Sequence, residues 1–253
     1  MPEEEPNQFT GVADLYDSLM SVVPYSYWVD YVEGLWRRFE LRPRRVLDLA
    51  CGTGNVLLEL LRRGYDVEGA DYSAEMLRVA RSKTPGSVRF WHQDARSLDI
   101  PGEPFDACVC LFDSLNYLLT PEELCSAFRG VRRHLRPGGS LVFDMNAIRA
   151  LETGMFDQRG TGRDASLQFE WHSAWEPRTR LCTIRMEFIS HEIGGTRILH
   201  ETHVQRGYTI EEIKTALADA DLELLGFYDA FTTRPPNFRS DRYHVIARRH
   251  PDT

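Results

Sequence analysis

The run Ala50-Cys51-Gly52-Thr53-Gly54-Asn55 directly follows an apolar stretch, Val46-Leu47-Asp48-Leu49. Glycines at 52 and 54 permit a tight turn and let the backbone approach a ligand closely where a strand feeds a helix. Asp48 supplies a carboxylate that can organise that turn or attract a cation. Nineteen residues past Gly52, Asp71 closes a second apolar run, where an acid can accept hydrogen bonds from both hydroxyls of a ribose. Asp94 and Ala95 close a third, placing a carboxylate and a backbone amide where the edge of an adenine could lie. Phe112, just beyond a fourth run, could pack against the ring. Each residue also has a plain structural reading, as a turn, a helix cap or a core ring. Four strand ends meeting at one edge of a parallel sheet make a shared nucleoside site the better account.

The elements that must position these residues follow from pattern. Strands are expected at 46–49, 66–70, 88–92, 105–111 and 140–145, with helices between them at 55–63, 73–83 and 120–134. Gly64 stops the first helix, and Ser73 is placed to cap the second. Thr120-Pro121-Glu122-Glu123 reads as a capping box with proline at the first helical position. Alternation at this spacing predicts a doubly wound parallel sheet. The rhythm then changes. Three β-prone runs at 167–175, 181–193 and 197–206, with a Gly194-Gly195 turn between the last two, predict an antiparallel meander. A second capping box, Thr209 to Glu212, opens a helix to about 220, and strands at 223–230 and 242–247 close the chain.

The chain has 253 residues, of which 42% are hydrophobic and 27% charged. That is ordinary globular composition. A net charge of −8 argues against a nucleic-acid partner, because phosphate binding rests on clustered Lys and Arg. The basic stretch from Arg129 to Arg136 reads as a solvated helix face. Five cysteines without C-x₂-C spacing predict no metal centre and a reducing, cytoplasmic setting. No run is long and apolar enough to span a bilayer.

The glycine motif, Gly69-Ala70-Asp71-Tyr72-Ser73-Ala74-Glu75-Met76-Leu77 and Leu135-Arg136-Pro137-Gly138-Gly139 together resemble the successive motifs of class I S-adenosylmethionine-dependent methyltransferases. Phe112-Asp113-Ser114-Leu115-Asn116-Tyr117 and Glu201-Thr202-His203 are similar to a bacterial subgroup with a β-meander over the active site, to which sugar-amine N,N-dimethyltransferases are related. The resemblance implies a Rossmann-like seven-stranded α/β sheet with an antiparallel last strand, and S-adenosyl-L-methionine as cofactor. It divides the chain into an N-terminal helical lid (1–40), a cofactor-binding core (41–150 and 207–253) and an antiparallel β insertion (151–206). It implies Ala50, Gly52 and Gly54 near the methionine portion, Asp71 at the ribose, and Asp94 with Ala95 at the adenine. Tyr72, Met76 and Phe112 would flank the base, and Tyr16 and Trp28 would reach the cofactor from the lid.

Methyl transfer from a sulfonium is an in-line displacement, so the protein mainly supplies approach geometry and a dry site. An amine nucleophile need only be neutral, whereas an oxygen usually needs a base. Substrate-facing candidates are Asn116, Tyr117 and His203, with Asp113, Glu201 and Arg206 nearby. The aromatic residues Tyr25, Tyr27, Trp28, Trp171, Trp175, Phe188, Tyr208 and Phe231 suggest an enclosed pocket and hence a small-molecule substrate. Three alternatives remain: an RNA or protein methyltransferase, a nicotinamide-dependent oxidoreductase, and a non-catalytic cofactor-binding protein. Position 57 is Leu, so the third glycine of a dinucleotide loop is absent.

Overall fold

A computed structural model describes residues 8–9, 11–162, 167–192 and 195–251. Helices α1 (Ala13–Leu19) and α2 (Tyr25–Arg38) precede β1 (Arg45–Leu49), α3 (Asn55–Arg62), β2 (Asp66–Asp71), α4 (Ala74–Lys83), β3 (Phe90–His92) and β4 (Phe105–Cys110). Then come α5 (Pro121–His134), β5 (Leu135–Asn146), α6 (Ile148–Glu152), β6 (Gln158–Thr161), β7 (Leu167–Glu176), β8 (Leu181–Glu192), β9 (Gly195–Arg206), α7 (Ile210–Asp219), β10 (Leu222–Asp229) and β11 (Arg242–Arg249). Short 3-10 turns at Ala95–Ser97 and Ser114–Tyr117 follow β3 and β4.

Seven strands form one sheet in the order β3-β2-β1-β4-β5-β11-β10. β1 pairs in parallel with both β2 and β4, while β11 runs antiparallel to its neighbours β5 and β10. The order reverses between β1 and β4, which is where an open α/β sheet forms a crevice. Side chains alternate across the sheet. Ala107 and Val109 join the apolar layer under α2 and α3, built on Val29, Val32, Leu35, Trp36, Leu57 and Leu60. Cys108 and Cys110 join the opposite layer, under α5 and α7, with Leu124, Phe128, Val131, Ile213 and Leu217. Burial on both faces explains why these strands read as near-continuous apolar runs.

The strands β6-β7-β8-β9 make a separate antiparallel sheet. Its inner face packs Cys182, Ile184, Met186 and Phe188 on Val12, Ala13 and Met76. The turn expected at Gly194-Gly195 lies partly outside the described residues, but Glu192 pairs with Gly195. Two expectations differ from the structure in detail. β3 starts at Phe90 rather than Val88. β5 pairs from Leu135, and the segment to Ser140 bulges between the pairs Phe105↔Leu135 and Ala107↔Ser140, with Gly138 at φ 77°. The N-terminal segment serves two purposes. α1 contacts α4 and β7, whereas α2 is a full member of the core layer. Among the described residues no helix is long and apolar enough to cross a membrane, and all five cysteines are free.

Candidate functional site

A cavity of about 320 Å³ opens at the C-terminal ends of β1, β2, β3 and β4. It is lined by Ala50, Gly52, Asp71, Tyr72, Met76, Asp94, Ala95 and Phe112, with Tyr16 from α1 and Tyr117 from the turn after β4. The loop after β1 turns through Ala50 at φ 57°, Gly52 at φ 52° and Gly54 at φ 81°. A Cβ at Gly52 would meet no atom within 4 Å, so the bare backbone there faces open space that a ligand can enter. Gly54 has a different reason: its Cβ would come 3.3 Å from that of Ala80, so the glycine lets α3 and α4 approach. It does not line the cavity.

The acidic groups are held by backbone amides. Asp71 accepts from Gly52 N at 2.7 Å on one oxygen and from Ser73 N at 2.8 Å on the other. Burial nevertheless raises its pKa, against the lowering effect of those amides. The Tyr72 amide bonds to the same carboxylate, which leaves it acceptor capacity for a ligand hydroxyl. Asp48 is 2% exposed, and its Oδ2 has no partner. Burial, reinforced by the charge of Asp71, pushes its pKa up to about 8. A buried, unpartnered carboxylate oxygen in a cavity wall is costly unless a ligand completes it. The donor set therefore fits a cationic ligand bearing a ribose, as S-adenosylmethionine is. After β3, Asp94 caps its 3-10 turn through Arg96 N at 2.8 Å and also pairs with the Arg96 guanidinium. That pairing lowers the Asp94 pKa against the effect of burial. The capping carboxylate also borders the cavity.

Phe112 and Asp113 both adopt positive φ, 62° and 51°, which costs energy in non-glycine residues. The buried Asp144 on β5 holds them there by accepting both amides, at 2.6 and 3.0 Å. Arg242 on β11 bridges Asp144 and Asp113. Sequence pattern does not single out Asp144 or Arg242: the signal for Asp144 is a carboxylate inside the apolar run of β5, and Arg242, at the start of β11, carries none. Trp28 does not line the cavity but stacks on Phe112 with centroids 4.2 Å apart, and Arg242 lies over its ring.

The substrate-facing candidates separate. Asn116 is fully buried and turned away, donating to the carbonyls of Asn146 and Arg206 and accepting from Asn146 N. It clamps the turn after β4, β5 and β9 together rather than facing the cavity, because its amide matches those backbone groups. Tyr117 lines the cavity and reaches His203 Nδ1 at 3.0 Å. His203 is 1% exposed and lies behind Tyr117. The aromatic pocket is also smaller than composition suggested. Tyr25 borders the cavity, whereas Trp171, Trp175 and Phe188 pack under the meander and Tyr208 lies in the core.

Phe9, Gln8 and Thr53 also border the cavity, and nothing periodic in the sequence marked Phe9. Beside them Asp17 accepts from Thr53 Oγ1 at 2.6 Å and from Asn55 Nδ2 at 3.0 Å, and pairs with Lys83. This network ties α1 to α3 and α4.

Known proteins fit the same frame. Residues 46–139 match the family model described as a methyltransferase domain. The Bacillus subtilis (strain 168) protein named "Putative methyltransferase YqeM" is 32% identical over 244 residues, covering 95% of this chain and 97% of its own. The dTDP-4-amino-2,3,4,6-tetradeoxy-D-glucose N,N-dimethyltransferase of Saccharopolyspora spinosa is 32% identical over 218 residues, 83% of this chain and 84% of its own. A solved S-adenosylmethionine-dependent methyltransferase from Clostridium acetobutylicum ATCC 824 superposes with a TM-score of 0.83 at 27% identity, covering 94% of this chain and 97% of that one. Sheet order, glycine loop and full-length similarity agree: the chain belongs to the class I S-adenosylmethionine-dependent methyltransferases.

Proposed function

We propose that this enzyme methylates an amine on a small molecule, with the cofactor seated across the four strand ends. The observation that carries the reading is the cavity itself, about 320 Å³ and bordered by Phe9 and Tyr16, a size that favours a small acceptor. The Saccharopolyspora relative, by its name, acts on a sugar amine, which supports the same acceptor class. S-adenosylmethionine supplies a methyl carbon already activated by its positive sulfur. The chain's own residues bind, orient and exclude water. Ala50 and Gly52 would cradle the methionine portion, with Asp48 offering its free oxygen to positive charge. Asp71 would accept from the ribose hydroxyls, Asp94 and Ala95 N would meet the adenine edge, and Tyr72, Met76 and Phe112 would flank the base. Trp28 would act from behind, fixing the Phe112 ring. Gly54 would serve by letting α3 approach α4. The 151–206 insertion would close the acceptor side, and α1 with Phe9, Gly11 and Val12 would form the lid. Buried free thiols suit a cytoplasmic setting.

The experiment is transfer of a labelled methyl group from S-adenosylmethionine into fractionated bacterial lysate. Label is expected in the small-molecule fraction. Label confined to RNA or protein would refute the reading.

A further inference from the structure

Three side chains run in line from the cavity wall into the second sheet. The Tyr117 hydroxyl lies 3.0 Å from His203 Nδ1, and His203 Nε2 lies 2.8 Å from Glu201 Oε2. Glu201 in turn accepts the backbone amides of Phe9 at 3.1 Å, Gly11 at 2.9 Å and Val12 at 3.0 Å. A carboxylate that holds three donors has acceptor capacity left for His203 but no proton to give. The hydrogen between them therefore sits on Nε2, which leaves a lone pair on Nδ1. Tyr117 then donates its hydroxyl hydrogen to that lone pair; the Gln205 side-chain amide donates to the phenol oxygen, which leaves one oxygen lone pair for a ligand. His203 and Glu201 are 1% and 6% exposed. The Phe9 ring packs edge-on against both Tyr117 and His203, at 5.3 and 4.4 Å.

We propose that Tyr117, His203 and Glu201 form a proton relay that takes a proton from an acceptor ammonium bound against the Tyr117 hydroxyl. The proposal rests on the small-molecule amine reading above. It is the logic of a reacting group, a base and an orienting carboxylate within hydrogen-bond reach. The ammonium N–H proton passes to the Tyr117 oxygen as the phenolic proton passes to Nδ1. A neutral amine, an intact phenol and an imidazolium paired with Glu201 result. The freed amine lone pair forms the N–C bond to the methyl carbon as the C–S bond breaks, and that bonding pair stays on sulfur. After the product leaves, the imidazolium returns its proton through Tyr117 to water in the emptied cavity, one proton per turnover.

The surroundings explain why a tyrosine alone is insufficient. Tyr117 faces Asp113 from its own loop, Tyr16 from α1, and Gln205 and Glu201 from β9; burial, then Asp113, raises its pKa well above the usual phenol range, against the lowering effect of the Gln205 hydrogen bond. A standing phenolate is excluded there, so a proton taken at the oxygen must leave at once on the far side. His203, facing Tyr117, Glu201 and the Phe9 ring, is the group in position to take it. Structural support of the lid explains Glu201; it does not explain a histidine aligned on a cavity hydroxyl.

The test compares wild type, Tyr117→Phe and His203→Gln for labelled methyl transfer into the small-molecule fraction of a bacterial lysate, between pH 7 and 9.5. Both variants are expected to be about 100-fold slower at pH 7, the scale of general acid–base catalysis. The deficit should shrink tenfold or more by pH 9.5, where amines lose the proton in solution, while S-adenosylhomocysteine affinity by calorimetry stays unchanged. A deficit of constant size across that range would overturn the relay and leave methyl transfer standing. Nitrogen-15 spectra of His203 in the S-adenosylhomocysteine complex give a second readout: the neutral Nε2–H tautomer is expected, and an Nδ1–H tautomer would overturn the relay whatever the activity. Label entering only RNA or protein would instead overturn the small-molecule reading, and the same pH comparison on that fraction would decide the relay.

Discussion

Asp48 and Asp71 sit close together in the cavity wall with opposite needs. Asp71 is held by the amides of Gly52, Ser73 and Tyr72, while Asp48 keeps one oxygen free and has its pKa pushed up to about 8. An unfolded aspartate titrates near 3.9, so between about pH 4 and pH 8 the folded chain holds a proton that the unfolded chain has released. Stability should therefore fall as pH rises through that window and level off above it. Urea titrations of the ligand-free protein are expected to show that slope, and Asp48→Asn should flatten it. A cationic cofactor favours the charged form, so its affinity should rise with pH up to about 8 with proton release on binding. Calorimetry in buffers of different ionisation enthalpy measures that release. Asp71→Ala should weaken S-adenosylhomocysteine binding by roughly 1.5–3 kcal/mol, the loss expected for charge-assisted hydrogen bonds. An unchanged dissociation constant would remove Asp71 from the ribose role.

At the scale of elements, capping and charge pairing decide which local conformations persist. Thr209 accepts the amide of Glu212 at 3.1 Å while the Glu212 carboxylate accepts the amide of Thr209 at 2.8 Å. This box starts α7, far from the cavity. Thr209→Ala should cost about 1 kcal/mol in urea unfolding with cofactor affinity unchanged. The loop after β4 is a harsher case. Arg242 neutralises Asp144, whose pKa burial has still raised to about 6, and Asp144 holds two residues in a disfavoured conformation. Arg242→Leu strands a buried carboxylate and should destabilise the protein by about 3–5 kcal/mol at pH 7. Both capping boxes were legible as four-residue patterns because a cap is a local bargain between a side chain and the next turn. The Asp144–Arg242 pair was not, since its residues are 98 positions apart in sequence and meet only because β11 inserts beside β5.

Over the whole molecule, the cavity has walls from the large sheet and a roof pinned to the small one through Glu201. Cofactor binding should therefore tighten regions contributed by both. With S-adenosylhomocysteine at a hundredfold its dissociation constant, unfolding free energy should rise by about 2.7 kcal/mol. Amide exchange should slow at residues 11–19 as well as in the loops after β1, β2 and β4. Protection limited to the loops would show that the N-terminal segment takes no part in holding the ligand.

The sequence alone specified the strand–helix alternation, the glycine loop, the acids at the ends of β2 and β3, and the later meander. These rest on local chemistry: side-chain period, glycine at positive φ, and caps that bond within three residues. Tertiary structure decided which candidates face the cavity. It turned Asn116 inward as a clamp, put Trp28 behind Phe112, drew most meander aromatics into packing, and lined up Tyr117, His203 and Glu201 behind the N-terminal segment. Those outcomes depend on strand order and on contacts between residues far apart along the chain, which no periodicity records.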